Sequence, residues 1–278
     1  MATVSPRLDL QASAGAAAIA ESLLTHCATV VRQVFNPAEI ASIRTRVEHR
    51  LRQLEPLTHG VYRNNLPISF ADVSSETVEV FGHRVDMPVL VAGDAEMADR
   101  ESHRFDHTTL RLLVSSPVAA IAHTYFLEPF VVTVGASRLR RQRVEQLQDG
   151  LPLHQDAGSG DYGSSVGLTV FFPLNGCGGA YPGLEVLPER VTRLLPRDDG
   201  QWYCAESVGL ELASRLWAPE LAPGDAVLFD SYCPHRTHFG VNASRERLSC
   251  DVRLFARSHA PTRLSAMIEI DAPHKPRP

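Results

Sequence analysis

Five strand-like runs follow one another in the second half of this chain, at residues 130–141, 166–174, 183–188, 226–230 and 247–256. Each carries β-branched, aromatic or alternating apolar residues, and Gly or Pro punctuates the stretches between them. Helical patterns come first. Ser13 to Thr25 has helical spacing, and Ala28 to Phe35 reads as a short β-branched strand. Asn36 then serves as N-cap, with Pro37 at the first helical position and Glu39 at the third. Ile40, Ile43, Val47 and Leu51 carry that helix to about Leu54 at spacings of three and four. Another helix is expected over Thr108 to Leu127, with a break at Pro117. Helices followed by a run of strands point to an α+β domain, with helices packed on one side of a barrel or sandwich. Residues 55–105 are irregular, with strand-like pieces at 77–81 and 89–91. No linker or repeat interrupts the chain, so residues 1–278 are read as one domain.

Composition narrows the class of function. The chain is 44% hydrophobic and 21% charged, ordinary for a globular protein. A net charge of -5 argues against a surface built to neutralise nucleic-acid phosphates. No uncharged apolar run reaches the ~18 residues of a bilayer span. Arg7 and Asp9 interrupt the start, so Met1 to Ala20 does not read as a signal peptide. The five cysteines are scattered and form no CxxC pair, which disfavours a structural zinc site or a disulfide framework. A reducing cytoplasm is the expected compartment. The expected partner is a small molecule, with no role for nucleic acid or membrane.

The chemistry is concentrated at Leu151-Pro152-Leu153-His154-Gln155-Asp156. On a strand, residues two apart point to the same face, so the His154 imidazole and the Asp156 carboxylate can converge on one ion. A third ligand must come from elsewhere. The candidates lie in Cys233-Pro234-His235-Arg236-Thr237-His238, just after the strand at 226–230. Two histidines and a carboxylate on one face of a metal leave positions open, the arrangement used by non-haem iron(II) oxygenases.

Several segments, in order, resemble the phytanoyl-CoA dioxygenase-like family of iron(II)/2-oxoglutarate-dependent oxygenases: VVRQVFNPAEI, LPLHQD, PGLEVLP, PGDAVLFDSYCPHRT and RLSCDVRLF. They span about residues 28–256, with a poor match across 55–105. The resemblance implies a double-stranded β-helix, the jelly-roll or cupin-like core, with flanking helices and a metal inside its open end. It implies His154, Asp156 and His235 as iron(II) ligands. Arg247 would grip the distal carboxylate of 2-oxoglutarate, with Thr237 adding a hydroxyl. The spacing from His235 to Arg247 is one residue longer than the family pattern, which leaves His238 as an alternative ligand and Arg245 as an alternative arginine. Arg140 is assigned to the cosubstrate and Arg138 to the substrate. On the last strand Arg247, Ser249, Asp251 and Arg253 share one face, while Leu248, Cys250, Val252 and Leu254 share the other. The resemblance favours the polar face inside.

The implied reaction hydroxylates an unactivated C–H bond with dioxygen, releasing succinate and carbon dioxide, with ascorbate as an accessory reductant. The substrate would be amino-acid-like or a natural-product intermediate of secondary metabolism. Asp156 disfavours halogenation, because related halogenases carry a small residue there. Desaturation, epimerisation and ring formation remain compatible. Residues 55–105 and 157–165 are expected to form lid and mouth. Two other readings share the core: a cupin-like binding or sensor protein, and a zinc hydrolase, for which no HExxH signal is present.

Overall fold

The computed structural model describes residues 8–54, 74–80, 83–89, 112–144, 150–159, 162, 165–261 and 267–270. In chain order the strands are β1 (Asp9–Gln11), β2 (Ala28–Arg32), β3 (Ser74–Val80), β4 (His83–Val89), β5 (Phe130–Gln142) and β6 (Gly167–Pro173). They continue with β7 (Gly183–Val186), β8 (Ala226–Asp230), β9 (His235–His238), β10 (Arg247–Ala256) and β11 (Met267–Ile270). The helices are α1 (Ala16–His26), α2 (Pro37–Leu54), α3 (Pro117–Phe126) and α4 (Glu206–Leu212).

Seven strands form the main sheet in the order β1-β2-β8-β6-β10-β5-β11, antiparallel throughout except for the β1–β2 pair. Alternation along its strands sorts side chains into two populations. Leu248, Cys250, Val252 and Leu254 of β10 join Leu168, Val170 and Phe172 of β6 and Leu228 of β8 in the larger core. That core also holds Ile19 and Leu23 of α1, Ile40 and Ile43 of α2, and Ile121 of α3, so the helices cover this face. Phe35 meets Phe172 here at 4.7 Å between ring centroids. The opposite face carries Val30, Phe171, Val227 and Phe229, which pack with Leu184 and Val186 of β7. The polar residues of β10 lie on this inner side, as the sequence led us to expect.

β7 and β9 form the second sheet, antiparallel. It is extended by isolated bridges from His235 to His154 and from His154 to Tyr203. The two sheets enclose the cavity between the polar face of β10 and the ends of β8 and β9. This is the expected double-stranded β-helix with flanking helices.

Local chemistry explains the helix boundaries. The Asn36 Oδ1 accepts from the Ala38 N–H at 2.9 Å, the capping read from the sequence. Ser116 caps α3 by accepting from the Val118 N–H, with Pro117 at the first helical position. The break expected at Pro117 is there: a helical turn at 112–115 ends at Ser116 before α3 begins. α1 starts three residues later than expected, after a 3-10 turn at Ala12–Ala14. Within 55–105 only β3 and β4 are described, and they pair as an antiparallel hairpin. The second strand is described over 83–89, and of the piece expected at 89–91 residues 90 and 91 lie outside the described residues. The remainder of the expected lid lies outside the described residues. Among those that are described, no helix is long and apolar enough to cross a membrane.

Candidate metal centre

His154 and His235 are some eighty residues apart in sequence and opposite each other in space. Each backbone N–H donates to the other's carbonyl at 2.9 Å. This is the hydrogen-bonded pair of an antiparallel ladder, whose side chains stand together on one face. The imidazole centroids are 4.1 Å apart. Each ring donates its Nδ1–H to the carbonyl two residues upstream, His154 to Pro152 at 2.7 Å and His235 to Cys233 at 3.0 Å. Both tautomers are thereby fixed, and both Nε2 lone pairs are turned toward the same point.

Asp156 supplies the third donor. Its Oδ1 lies 4.0 Å from His154 Nε2 and 3.9 Å from His235 Nε2. The ligand atoms of these three residues all fall within 4.8 Å of one another, and all three residues are buried. The sequence led us to expect that a strand would align His154 with Asp156. The chain instead turns: His154 is a single bridge residue, and Asp156 opens a 3-10 turn that runs to Ser159. The Ala157 N–H donates to Ser231 O and the Gly158 N–H to Gln155 O, which bends the carboxylate back toward the imidazoles. Gln155 points the other way and ties the turn down, donating to Arg193 O and Tyr232 O while accepting from the Leu195 N–H.

Arg253 grips the carboxylate from behind. Its Nε is 3.1 Å from Asp156 Oδ2 and its Nη2 donates to Oδ1 at 3.3 Å. Thr169 donates its hydroxyl to Oδ2 at 3.0 Å. The Tyr162 hydroxyl accepts from Arg253 Nε at 3.0 Å. Burial alone would raise the Asp156 pKa, but the Arg253 charge and the facing histidines hold it below the usual carboxylate range. Desolvation, reinforced by His235, depresses His154 to about 3. Burial lowers His235 in the same direction. The trio is therefore one carboxylate and two neutral imidazoles, the protonation state a divalent cation needs.

This has a consequence for the metal-free protein. A histidine whose folded pKa is depressed binds its proton preferentially in the unfolded chain. Its stabilisation is complete above the unfolded value near 6.5 and is lost as pH falls toward the folded value. For His154, the loss between pH 7 and pH 5 is about 2 kcal/mol. Thermal melts of metal-free protein should show the melting temperature falling over that interval. In a His154→Gln variant the fall should be smaller.

Of the remaining expected residues, Arg247, Thr237 and Arg140 line the cavity, whose volume is about 230 Å³. Arg247 is 2% exposed and lines its wall. Its Nη1 donates to Pro182 O at 3.1 Å and Gly183 O at 2.5 Å, and its guanidinium stacks over Phe171 at 5.2 Å. Its Nε is buried with no hydrogen-bond partner among the described residues. Thr237 lines the same end, its hydroxyl oxygen accepting from the Leu151 N–H at 3.1 Å. Arg140 also borders the cavity and pairs with Asp251 at 3.2 Å. Arg138 lies on β5, but its side chain is outside the described residues. His238, the alternative ligand, is 34% exposed and pairs with Glu185 at 2.9 Å. Strand parity turns it to the other side of β9 from His235. Arg245 is set against the Tyr181 ring and hydroxyl, away from the cavity wall that Arg247 occupies. The described residues of 157–165 are packed: Ala157 and Gly158 are buried in the turn, and Tyr162 stacks on Phe255.

Sequence reasoning placed Arg253 on the correct face but gave it no role. The only available signal was its alternation with Arg247 and Asp251. Thr169, Tyr162 and Trp202, whose ring meets the edge of His154 at 4.7 Å, carried no signal at all.

No protein-family model matches the chain, and no curated protein does. Solved structures do. AviO1 from Streptomyces viridochromogenes Tue57 is 22% identical, with 88% of this chain and 96% of that chain covered and a TM-score of 0.54. EctD from S. alaskensis, solved with 2-oxoglutarate and 5-hydroxyectoine, is 16% identical over 87% and 76% of the two chains, with a TM-score of 0.56. The non-haem alpha-ketoglutarate-dependent epimerase SnoN from nogalamycin biosynthesis is 17% identical over 85% and 81%, with a TM-score of 0.54. At such identities the likeness establishes the fold.

Proposed function

We propose that this protein is a non-haem iron(II)/2-oxoglutarate-dependent oxygenase that hydroxylates an unactivated C–H bond of a small molecule. The observation that carries the reading is the buried His154–Asp156–His235 cluster in a cavity whose wall holds Arg247. The resemblance of the sequence segments to the phytanoyl-CoA dioxygenase-like family supports it. So do structural neighbours described as alpha-ketoglutarate-dependent or solved with 2-oxoglutarate.

The residues fit both groups. Two neutral imidazoles and a carboxylate suit iron(II) and leave room for further ligands on one side. The orphaned Nε–H of Arg247 suits a carboxylate, which a guanidinium fork accepts in its plane. Bound together, iron(II) and 2-oxoglutarate couple oxidative decarboxylation by dioxygen, yielding succinate and carbon dioxide, to oxidation of a substrate C–H bond. The protein supplies the rest. Arg253 and Thr169 hold the Asp156 carboxylate in one orientation, leaving Oδ1 toward the histidines. Arg247 and Thr237 hold the far end of the cosubstrate. Phe171, Leu184 and Phe229 line the cavity and limit water in it. We place the protein in a reducing cytoplasm, where its five free, buried cysteines would stay reduced.

The test is succinate release. Arg247→Ala should raise the 2-oxoglutarate concentration needed for half-maximal release by roughly 10- to 150-fold, the worth of a charge-assisted hydrogen bond. Maximal release should change far less. Iron-dependent release that is absent under every condition would favour a cupin-like binding protein. Unaltered cosubstrate dependence in the variant would remove Arg247 from the site.

A further inference from the structure

Four polar atoms on the inner face of β10 are buried with no partner among the described residues: Arg247 Nε, the Ser249 hydroxyl, Asp251 Oδ1 and Arg253 Nη1. Arg247 belongs to the cosubstrate end and Ser249 does not line the cavity, which leaves Asp251 Oδ1 and Arg253 Nη1, on two residues that border it. The other polar atoms of the pair are engaged. Asp251 Oδ2 accepts from Arg140 Nε and Nη2, each at 3.2 Å, and lies 3.1 Å from Arg253 Nη2. Arg253 Nε and Nη2 are taken by Tyr162 and Asp156. The two orphans are thus one acceptor and one donor, on residues two apart on the same face whose carboxylate and guanidinium already meet at 3.1 Å. Buried polar groups in folded proteins are almost always satisfied, so an exception beside a cavity calls for a partner that the protein itself does not supply.

We propose that Asp251 and Arg253 form a substrate subsite for a neutral group that donates and accepts hydrogen bonds at once, specifically a pair of neighbouring hydroxyls. This rests on the oxygenase reading and adds to it the chemical class of the substrate. Arg247, which that reading gives to the cosubstrate, lies four residues earlier on β10, roughly 13 Å away along the strand. The two ends of the cavity therefore serve different ligands.

Charge selects the class. A carboxylate would satisfy Arg253 Nη1 but would meet the Asp251 oxygen. An ammonium would satisfy Asp251 Oδ1 but would face Arg140 and Arg253 together. A diol gives its proton to Asp251 and its lone pair to Arg253, and leaves the existing Arg140–Asp251–Arg253 pairing intact. An amino-acid-like substrate that enters by its charged groups is disfavoured on the same ground.

Three probes of one size separate these cases: cis-cyclohexane-1,2-diol, cyclohexanecarboxylate and cyclohexylamine. Binding is read by ligand-observed saturation-transfer NMR on the metal-free full chain, beside an Asp251→Asn variant checked for folding by its melting curve. The diol should bind at least tenfold more tightly than either ion, and Asp251→Asn should weaken it at least fivefold. Equal or tighter binding of an ion, no binding of any probe, or an unaffected diol in the folded variant overturns the proposal. If the variant does not fold, the ranking of probes on the parent chain decides. Iron-dependent succinate release is measured separately. Release without diol preference ends the subsite alone, and diol preference without release ends the oxygenase reading alone.

Discussion

Replacing His235 by alanine is expected to abolish iron-dependent succinate release and iron retention, while the chain stays folded. The imidazole stands opposite His154 and completes the donor set with Asp156. Loss of a partner that merely orients a metal ligand typically costs 10- to 100-fold, so loss of a ligand should cost more than about 100-fold. Folding survives because the 154–235 link is made by backbone groups, which alanine keeps. Among the described residues, the hydrogen bond lost with the ring is the one to the Cys233 carbonyl. His238→Ala is the control. Its ring pairs with Glu185 on the other side of β9, so iron content and turnover should hold within about twofold. Iron content after desalting and succinate release together check both variants. The reverse pattern would make His238 the ligand.

Arg253→Met is expected to destabilise the metal-free protein more than any other change to the site. The Asp156 carboxylate would stay buried and lose its principal counter-charge. Breaking a buried pair from one side costs about 3–5 kcal/mol. At about 2–4 °C per kcal/mol for a chain of this size, the melting temperature should fall by roughly 6–20 °C. Arg253→Lys keeps a charge but not the fork that reaches both oxygens, so it should lie between the two. Adding iron(II) should then raise the melting temperature of the Met variant by more than that of the parent, because a cation takes over the role of counter-charge. A Met variant that melts within about 2 °C of the parent would show that Arg253 carries little of this load.

Much of the fold follows from short-range pattern. The apolar alternation of Leu248, Cys250, Val252 and Leu254 marks the face that packs on the helices, and Asn36-Pro37 marks the start of α2. These signals are local, and local signals survive in sequence. The pairing of His154 with His235 depends on a bridge across some eighty residues, which only the resemblance could anticipate. The turn at Asp156 depends on the Ser231 carbonyl, equally distant. Arg253 was hidden for a different reason. An arginine that alternates along a strand looks the same whether it meets solvent or a buried carboxylate, and only the packing of Asp156 against β10 distinguishes them. Polar residues on an antiparallel strand face water by default. Here both faces of β10 are covered, so the polar face turns inward and carries the site.

The central claim is that His154, Asp156 and His235 hold one ferrous ion beside a 2-oxoglutarate anchored by Arg247. Anaerobic addition of iron(II) and then 2-oxoglutarate to the parent protein tests it directly, through the weak visible metal-to-ligand charge-transfer band. The expected result is a band that saturates at one equivalent of iron, vanishes in Asp156→Ala, and needs far more 2-oxoglutarate in Arg247→Ala. Iron that binds with no such band, or a band that persists undiminished in Asp156→Ala, would contradict it.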